Sequence, residues 1–303
     1  MEKIKIFIDT DIGDDIDDAF ALQYALDRPD AEIVAVTTVY KNALQRAQMT
    51  KKLLKLNGRE DIPVVVGEDM PLKEPLRPFL FEKTGEDGLY GLLSTKSDFK
   101  EYEPDGFNAV DYIIETAEKH PNEIVFCAIG PMTNLAKAIL KNRSAIEKYK
   151  AIYVMAGNID QVYEWNIMCD PEAAKIVFES GLPIVAVSGN VTLKTAFTQA
   201  QLLETLAFEP TPAAKYINEM MKEWIIVNTR PPIMHDALAI SAVFEKYVVF
   251  KPISIEVPLE GLKRGKIIVD EPKEWILPVQ ASFGVDREGF MKHFFKTRKE
   301  NEK

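Results

Sequence analysis

Six aspartates fall within ten residues near the start of the chain: Asp9, Asp11, Asp14, Asp15, Asp17 and Asp18, in IKIFIDTDIGDDIDDAFAL. So many carboxylates at short range repel one another unless some hold protons or a cation neutralises them. An all-oxygen donor set suits Ca2+ or Mg2+ rather than a thiophilic metal. A solvated acidic loop capping a helix would account for one or two of these residues. It does not account for six, and the run reads as a hard-cation site.

The flanking patterns say what positions it. Residues 4–8 are apolar and β-prone and read as a buried strand, while AFALQYAL from Ala19 reads as a helix. The acidic cluster therefore sits on a strand-to-helix turn, where open α/β sheets place ligands. Further apolar β runs occur at 32–40, 62–67, 123–130, 151–157 and 182–189, alternating with amphipathic segments at 43–56, 107–119, 133–140 and 171–180. Continuous hydrophobicity within the strands means that both sheet faces are covered. The expected fold is α/β: a mostly parallel open sheet with helices on both faces. ISIEVPLEG and GKIIVDE, after about residue 250, are expected to add a strand pair at one edge. Residues 71–78 read as a loop and 84–92 as a glycine-punctuated turn. No repeat or Gly/Ser linker divides the chain, so a single domain over 1–303 is expected.

The 303 residues carry 37 basic against 47 acidic side chains, a net charge of −10, which argues against nucleic acid as a partner. An apolar content of 47% with 28% charged residues is that of a globular chain. There is no 18-residue apolar span and no signal-peptide pattern, so no membrane partner is expected. Two cysteines, Cys127 and Cys169, are too few for a disulfide scaffold and fit a reducing cytoplasm as small buried residues. The C-terminal KTRKENEK reads as a frayed, solvated end.

The acidic turn alone admits several chemistries. Asp-x-Asp after a hydrophobic strand also opens phosphatases of the haloacid-dehalogenase type, in which Asp9 would be a nucleophile beside Mg2+. That reading needs a phosphate-binding lysine after a later strand, and no convincing one is found. An EF-hand loop is rejected, because Gly13 and Phe20 stand where it needs an oxygen ligand and a bidentate glutamate. Four later segments follow in order: IGPMTNLA (129–136), AGNIDQVYEWN (156–166) leading into DPEAAKIVF (170–178), NVT (190–192) and MHDALAI (234–240).

Together with DTDIGDDIDDA (9–19), these segments resemble the inosine-uridine-preferring nucleoside hydrolase family, over nearly the whole chain. The resemblance implies a Ca2+-dependent hydrolase that cleaves ribonucleosides, or a related ribosyl compound, to free base and ribose. It implies that Asp11, Asp18 and Asp236 ligate the ion with their carboxylates and Ile129 with its carbonyl, Asp9 supporting the site from behind. Asp17 would be the general base toward a water held by the metal. Asn158, Glu164, Asn166 and Asn42 would bind the ribose hydroxyls, and His235 would stand on the leaving-group side. It further implies a homodimer or homotetramer. Cleaving an N-glycosidic bond passes through an oxocarbenium-like sugar, so carboxylates, a cation and an oriented water suit the chemistry.

Each residue has a plainer reading. Asp17, Asp18 and Asp236 could be helix caps, His235 could be structural, and Glu164 and Asn166 could belong to a surface turn. Thr133 and Asn134 read as capping residues, and His120 and His293 as structural residues at helix ends. The chain also departs from the family pattern. A two-residue extension precedes the Asp pair, so that an ungapped match would put Asp15 at the base position and Ile16, which cannot ligate, at a metal position. Ile12 replaces a proline, and Thr84 stands where a histidine is typical. The segments 76–92 and 219–232 are expected to cover the pocket and set base preference. A non-catalytic ribose- or metal-binding protein on the same fold is the alternative.

Overall fold

The computed structural model describes residues 3–13, 15–73, 99–274 and 276–300, the side chain of Glu300 excepted. Asp14, Thr84, the 84–92 turn and all but the first residues of the 71–78 loop lie outside them, as does the 76–92 segment. The strands are β1 (Ile4–Thr10), β2 (Ala31–Thr38), β3 (Val64–Val66), β4 (Ile124–Ala128), β5 (Ala151–Met155), β6 (Ile184–Val187), β7 (Val248–Glu256), β8 (Ile268–Asp270) and β9 (Val279–Val285). They form one sheet in the order β3-β2-β1-β4-β5-β6-β9-β7-β8. Strands β1 to β6 and β9 run parallel, and β7 is antiparallel to β8 and β9.

Eleven helices are seen among the described residues: α1 (Asp17–Asp27), α2 (Ala43–Leu56), α3 (Ala109–Lys119), α4 (Thr133–Ile146), α5 (Trp165–Cys169), α6 (Pro171–Phe178), α7 (Gly189–Thr192), α8 (Gln199–Ala207), α9 (Pro212–Val227), α10 (His235–Phe244) and α11 (Arg287–Glu300). Successive residues of a strand point to opposite faces. Ile6 and Ile8 accordingly join Phe20, Leu53 and Leu238 in one core. Phe7 joins Ile113 and Leu135 in the other. Both faces of the sheet are dry, as the uninterrupted apolar strands require. No described helix is long and apolar enough to cross a membrane.

The chain runs from β1 out to β3 on one side and then returns to place β4 on the other side of β1. The crevice between the ends of β1 and β4 is therefore a topological switch point, open to a ligand. Asp11 follows β1 and Ile129 follows β4.

Several expectations are corrected. Helix α1 starts at Asp17, not Ala19, so the Asp17–Asp18 pair forms its first turn. The expected strand pair does lie at the edge as β7 and β8, but a further strand, β9, joins it to β6. β9 (VQASFGV) mixes small, polar and apolar residues, which hides it from a pattern reading. Part of KTRKENEK belongs to α11, which continues to Glu300. His293 lies inside that helix, not at an end, with Nδ1 3.4 Å from the Tyr24 hydroxyl. Cys127 and Cys169 are buried and form no disulfide.

Candidate active site

Two helices meet head to head at the switch point. Neither α1 nor α10 has a side-chain bond from its own N-cap residue, Ile16 or Met234. Instead, Asp236 N–H in the first turn of α10 donates to Asp17 Oδ2 at 3.1 Å. The start of α10 thus meets a carboxylate, which its helix dipole favours. Thr10 Oγ1 donates to Asp18 Oδ1, fixing that carboxylate against the end of β1.

Carboxylate oxygens of Asp17, Asp18 and Asp236 lie within 4.8 Å of one another. All three residues are buried, and so is Asp11. Burial, with mutual repulsion second, pushes the carboxyls of Asp18 and Asp236 well above the ordinary range and that of Asp17 up to about 7. Six carboxylates and one guanidinium, that of Arg230, stand among the described lining residues of a single cavity of about 440 Å³. The carboxylates outnumber the basic groups among these lining residues, and the charged donors are all oxygen. The residues fit a hard divalent cation.

The structure brings Asp11, Asp17, Asp18, Ile129, Asn158, Glu164, Asn166, His235 and Asp236 to this one cavity. Asn166 Nδ2 donates to the Ile129 carbonyl (2.8 Å) and to the Met155 carbonyl (2.9 Å). The Ile129 oxygen keeps a second lone pair. Glu164 is the N-cap of α5: its carboxylate accepts from the N–H groups of Gly157, Asn166 and Ile167. Burial raises its pKa while these bonds oppose the rise. His235 Nδ1 sits 2.6 Å from Thr192 Oγ1, and burial pushes the ring down to about 4, so it is neutral at pH 7.

Two expected residues stand off the cavity wall. Asp9 lies behind it, fully buried, with Oδ1 accepting from Thr37 Oγ1 (2.6 Å) and Asn134 Nδ2 (2.8 Å). Burial pushes it up to about 7 against those two bonds. Asn42 is the N-cap of α2 and is not among the lining residues. It ends a run of three left-handed residues, Tyr40, Lys41 and Asn42, at φ 66°, 43° and 60°. Such a run is costly without external support. The support is Arg46, fully buried, whose Nε donates to the carbonyls of Tyr40 (2.6 Å) and Lys41 (3.0 Å). Its Nη1 donates to the carbonyls of Asp11 and Ile12. One guanidinium thus ties the turn after β2 to the acidic turn after β1.

Thr133 and Asn134, read as caps, do something else. Met132 is the N-cap of α4. Asn134 bonds Asp9 and the Thr38 carbonyl, and Thr133 Oγ1 donates to Asp170 Oδ2. Asn228 and Arg230 also line the cavity, and they belong to the 219–232 segment expected to cover the pocket, although neither was singled out by its own residue type; Trp165, beside the expected Glu164 and Asn166, lines it as well. Asp15, passed over as the base, pairs with Arg230.

Two expected results follow from this geometry. A Cβ on Gly130 would lie 2.7 Å from Asp11 Oδ1 and 2.8 Å from Asp11 N, a backbone atom that cannot swing away. If the cluster holds a divalent cation, Gly130→Ala should weaken its binding, measured by calorimetry, by roughly tenfold or more; unchanged affinity would contradict the placement of Asp11. The second concerns pH. Asp9 and Asp17 titrate near 7 in the folded chain and near 4 when unfolded, so the folded state holds protons that the unfolded state has already released. Stability of the cation-free protein falls as pH rises from about 4 to about 7. Its melting temperature should be higher at pH 5 than at pH 8, and a divalent cation taken up by the cluster should restore the loss at pH 8; the opposite slope would mean that these carboxylates are not raised by burial.

Comparison with known proteins agrees with the geometry. The family model described as inosine-uridine preferring nucleoside hydrolase matches residues 6–292. A probable uridine nucleosidase 1 of Oryza sativa subsp. japonica is 32% identical over 296 residues, covering 91% of this chain and 88% of its own. A plant nucleoside hydrolase of known structure superposes with a TM-score of 0.82 at 30% identity, covering 97% of this chain and 98% of its own. A purine-preferring ribonucleoside hydrolase from Gardnerella vaginalis gives 0.81 at 26% identity, covering 97% of each chain. The chain belongs to the inosine-uridine preferring nucleoside hydrolase family and is an N-glycosyl hydrolase of ribonucleosides.

Proposed function

We propose that the protein is a Ca2+-dependent ribonucleoside hydrolase that releases free base and ribose. The observation that carries this reading is the convergence of buried carboxylates from the β1–α1 turn and from α10 on one point of a cavity that also holds Asn158, Glu164 and Asn166. Asp11, Asp18 and Asp236, with the Ile129 carbonyl, would hold the ion, which when bound supplies positive charge that grips vicinal hydroxyls and acidifies a nearby water. Asp17 is the base: burial and neighbouring carboxylates raise its proton affinity, so it accepts a proton readily near neutral pH. Asp9, with Thr37 and Asn134, braces the end of β1.

Asn158, Glu164 and Asn166 orient the ribose. Glu164 is held rigidly by three backbone N–H groups, and a carboxylate retains lone pairs for a sugar hydroxyl. Both Nδ2 hydrogens of Asn166 are committed, leaving its Oδ1 as acceptor. Such positioning converts binding into alignment. Asn42 acts at the same sugar only if the left-handed turn shifts toward the cavity when substrate enters. His235, with Nδ1 taken by Thr192, offers Nε2 to the base as a neutral hydrogen-bonding group. The relatives are named for different bases, uridine for the rice protein and purines for the Gardnerella one, so family membership leaves the base open. The test is a panel of purine and pyrimidine nucleosides incubated with and without chelator. Free ribose and base should appear, and chelation should stop their release; no release from any nucleoside would overturn the reading, and tight ribose binding without turnover would favour a binding protein.

A further inference from the structure

One ion pair in the cavity belongs to neither the carboxylate cluster nor the ribose-binding groups. Arg230, in the loop after α9, lines the cavity beside Asn228 and His235. Its Nη2 donates to Asp15 Oδ2, and its guanidinium carbon lies 5.1 Å from the ring centroid of the buried Trp224. Asp15 is itself fixed, since its Oδ1 accepts from Ile16 N–H at 2.7 Å. The guanidinium is thus held from two sides, by a carboxylate of the extended acidic turn and by an indole face. It remains 43% exposed, with donors to spare for a ligand. It lines the same cavity as His235, the residue that the hydrolase reading puts on the leaving-group side.

We propose that Arg230 is a second leaving-group residue of this enzyme beside His235, donating hydrogen bonds to the oxo oxygen at C4 or C6 of the departing base and stabilising the negative charge there. This rests on the hydrolase reading above. In the reaction the C1′–N bond breaks and its electron pair leaves on the base. A water oxygen bonds to C1′, its proton passes to Asp17, and the base anion then takes a proton from solvent. In uracil and hypoxanthine part of the charge spreads onto the oxo oxygen at C4 or C6, a good acceptor for a group that has only donors. Cytosine and adenine carry an amino group at that position, where donor would meet donor, although cytosine keeps its C2 oxygen. The favoured class is therefore ribosides whose base carries an oxo group at C4 of a pyrimidine or C6 of a purine.

The test compares wild type, Arg230→Met and Arg230→Lys on uridine, cytidine, inosine, adenosine and 4-nitrophenyl riboside, with calcium affinity measured by calorimetry. Arg230→Met should lower kcat/KM for uridine and inosine roughly 100-fold, as loss of an oxyanion-type donor does. The uridine-to-cytidine and inosine-to-adenosine ratios should fall toward unity, and Arg230→Lys should recover part of the loss. On 4-nitrophenyl riboside, whose leaving group is already stable as an anion, the loss should stay below about fivefold. Calcium affinity should not change. Equal losses on nitrophenyl riboside and uridine, or no loss on either, would overturn the role of Arg230 while leaving the hydrolase reading intact. Wild-type protein inactive on all five compounds would overturn both.

Discussion

Asp17→Asn lowers kcat on a nucleoside by roughly 10²–10⁴-fold, the usual range for loss of a general base. The amide keeps the size of the side chain and can still meet the N–H of Asp236, so the head-to-head contact of α1 and α10 survives. What it loses is the capacity to take a proton. Calcium affinity, read by calorimetry on the same variant, should stay within about threefold, because a base beside the ion contributes less than a ligand. KM should change little, since the ribose-binding groups are untouched. A variant that retains its kcat removes Asp17 from the chemistry. A variant that loses calcium together with activity makes Asp17 a ligand, which its place within 4.8 Å of Asp18 and Asp236 would permit.

Asp236→Asn has the largest effect on the cation and a stability effect of opposite sign. Asp236 faces charge from Asp17, Asp18, Asp11 and Asp15, and burial raises its proton affinity further. Removing that charge relieves the cation-free protein, so its melting temperature at pH 8 should rise above that of wild type. On the proposed reading, calcium bound only by the folded state should stabilise wild type by about 2.7 kcal/mol at 100 times its Kd. That corresponds to a rise of roughly 5 °C for a chain of this size. In Asp236→Asn the calcium-induced rise should disappear and affinity should fall by roughly 100-fold or more. A variant that still gains its full melting shift with calcium would place the ion elsewhere. The two variants separate cleanly: one loses turnover with the ion bound, the other loses the ion.

Much of this architecture was legible from local pattern. Apolar runs such as IVFCA and IVAV could only be strands buried on both faces, and they became β4 and β6 at the sheet centre. The acidic turn was legible because crowding six carboxylates into ten residues is too costly to be incidental. Strand β9 was not, because its alternation of small and polar residues acquires meaning only between β6 and β7. The tail of α11 was misread for a similar reason. Its charged residues suit solvent, but Phe290 and Phe294 pin the helix to the core.

Residue types and short spacing determined the chemistry on offer: oxygen ligands for a hard cation, a candidate base beside them, and amide and carboxylate groups for a sugar. Only tertiary structure decided which of them meet. Asp236 reaches Asp17 across 219 positions of chain, and Arg230 reaches Asp15 across 215, because the order of strands in the sheet carries their loops to the same crevice. It also decided that Asn134 braces Asp9 rather than capping its helix, and that Arg46 holds three left-handed residues and so keeps Asn42 off the wall. Hydrophobic periodicity is a local property and survives in one dimension. Convergence of distant polar groups depends on how the layers pack, and no single segment contains it.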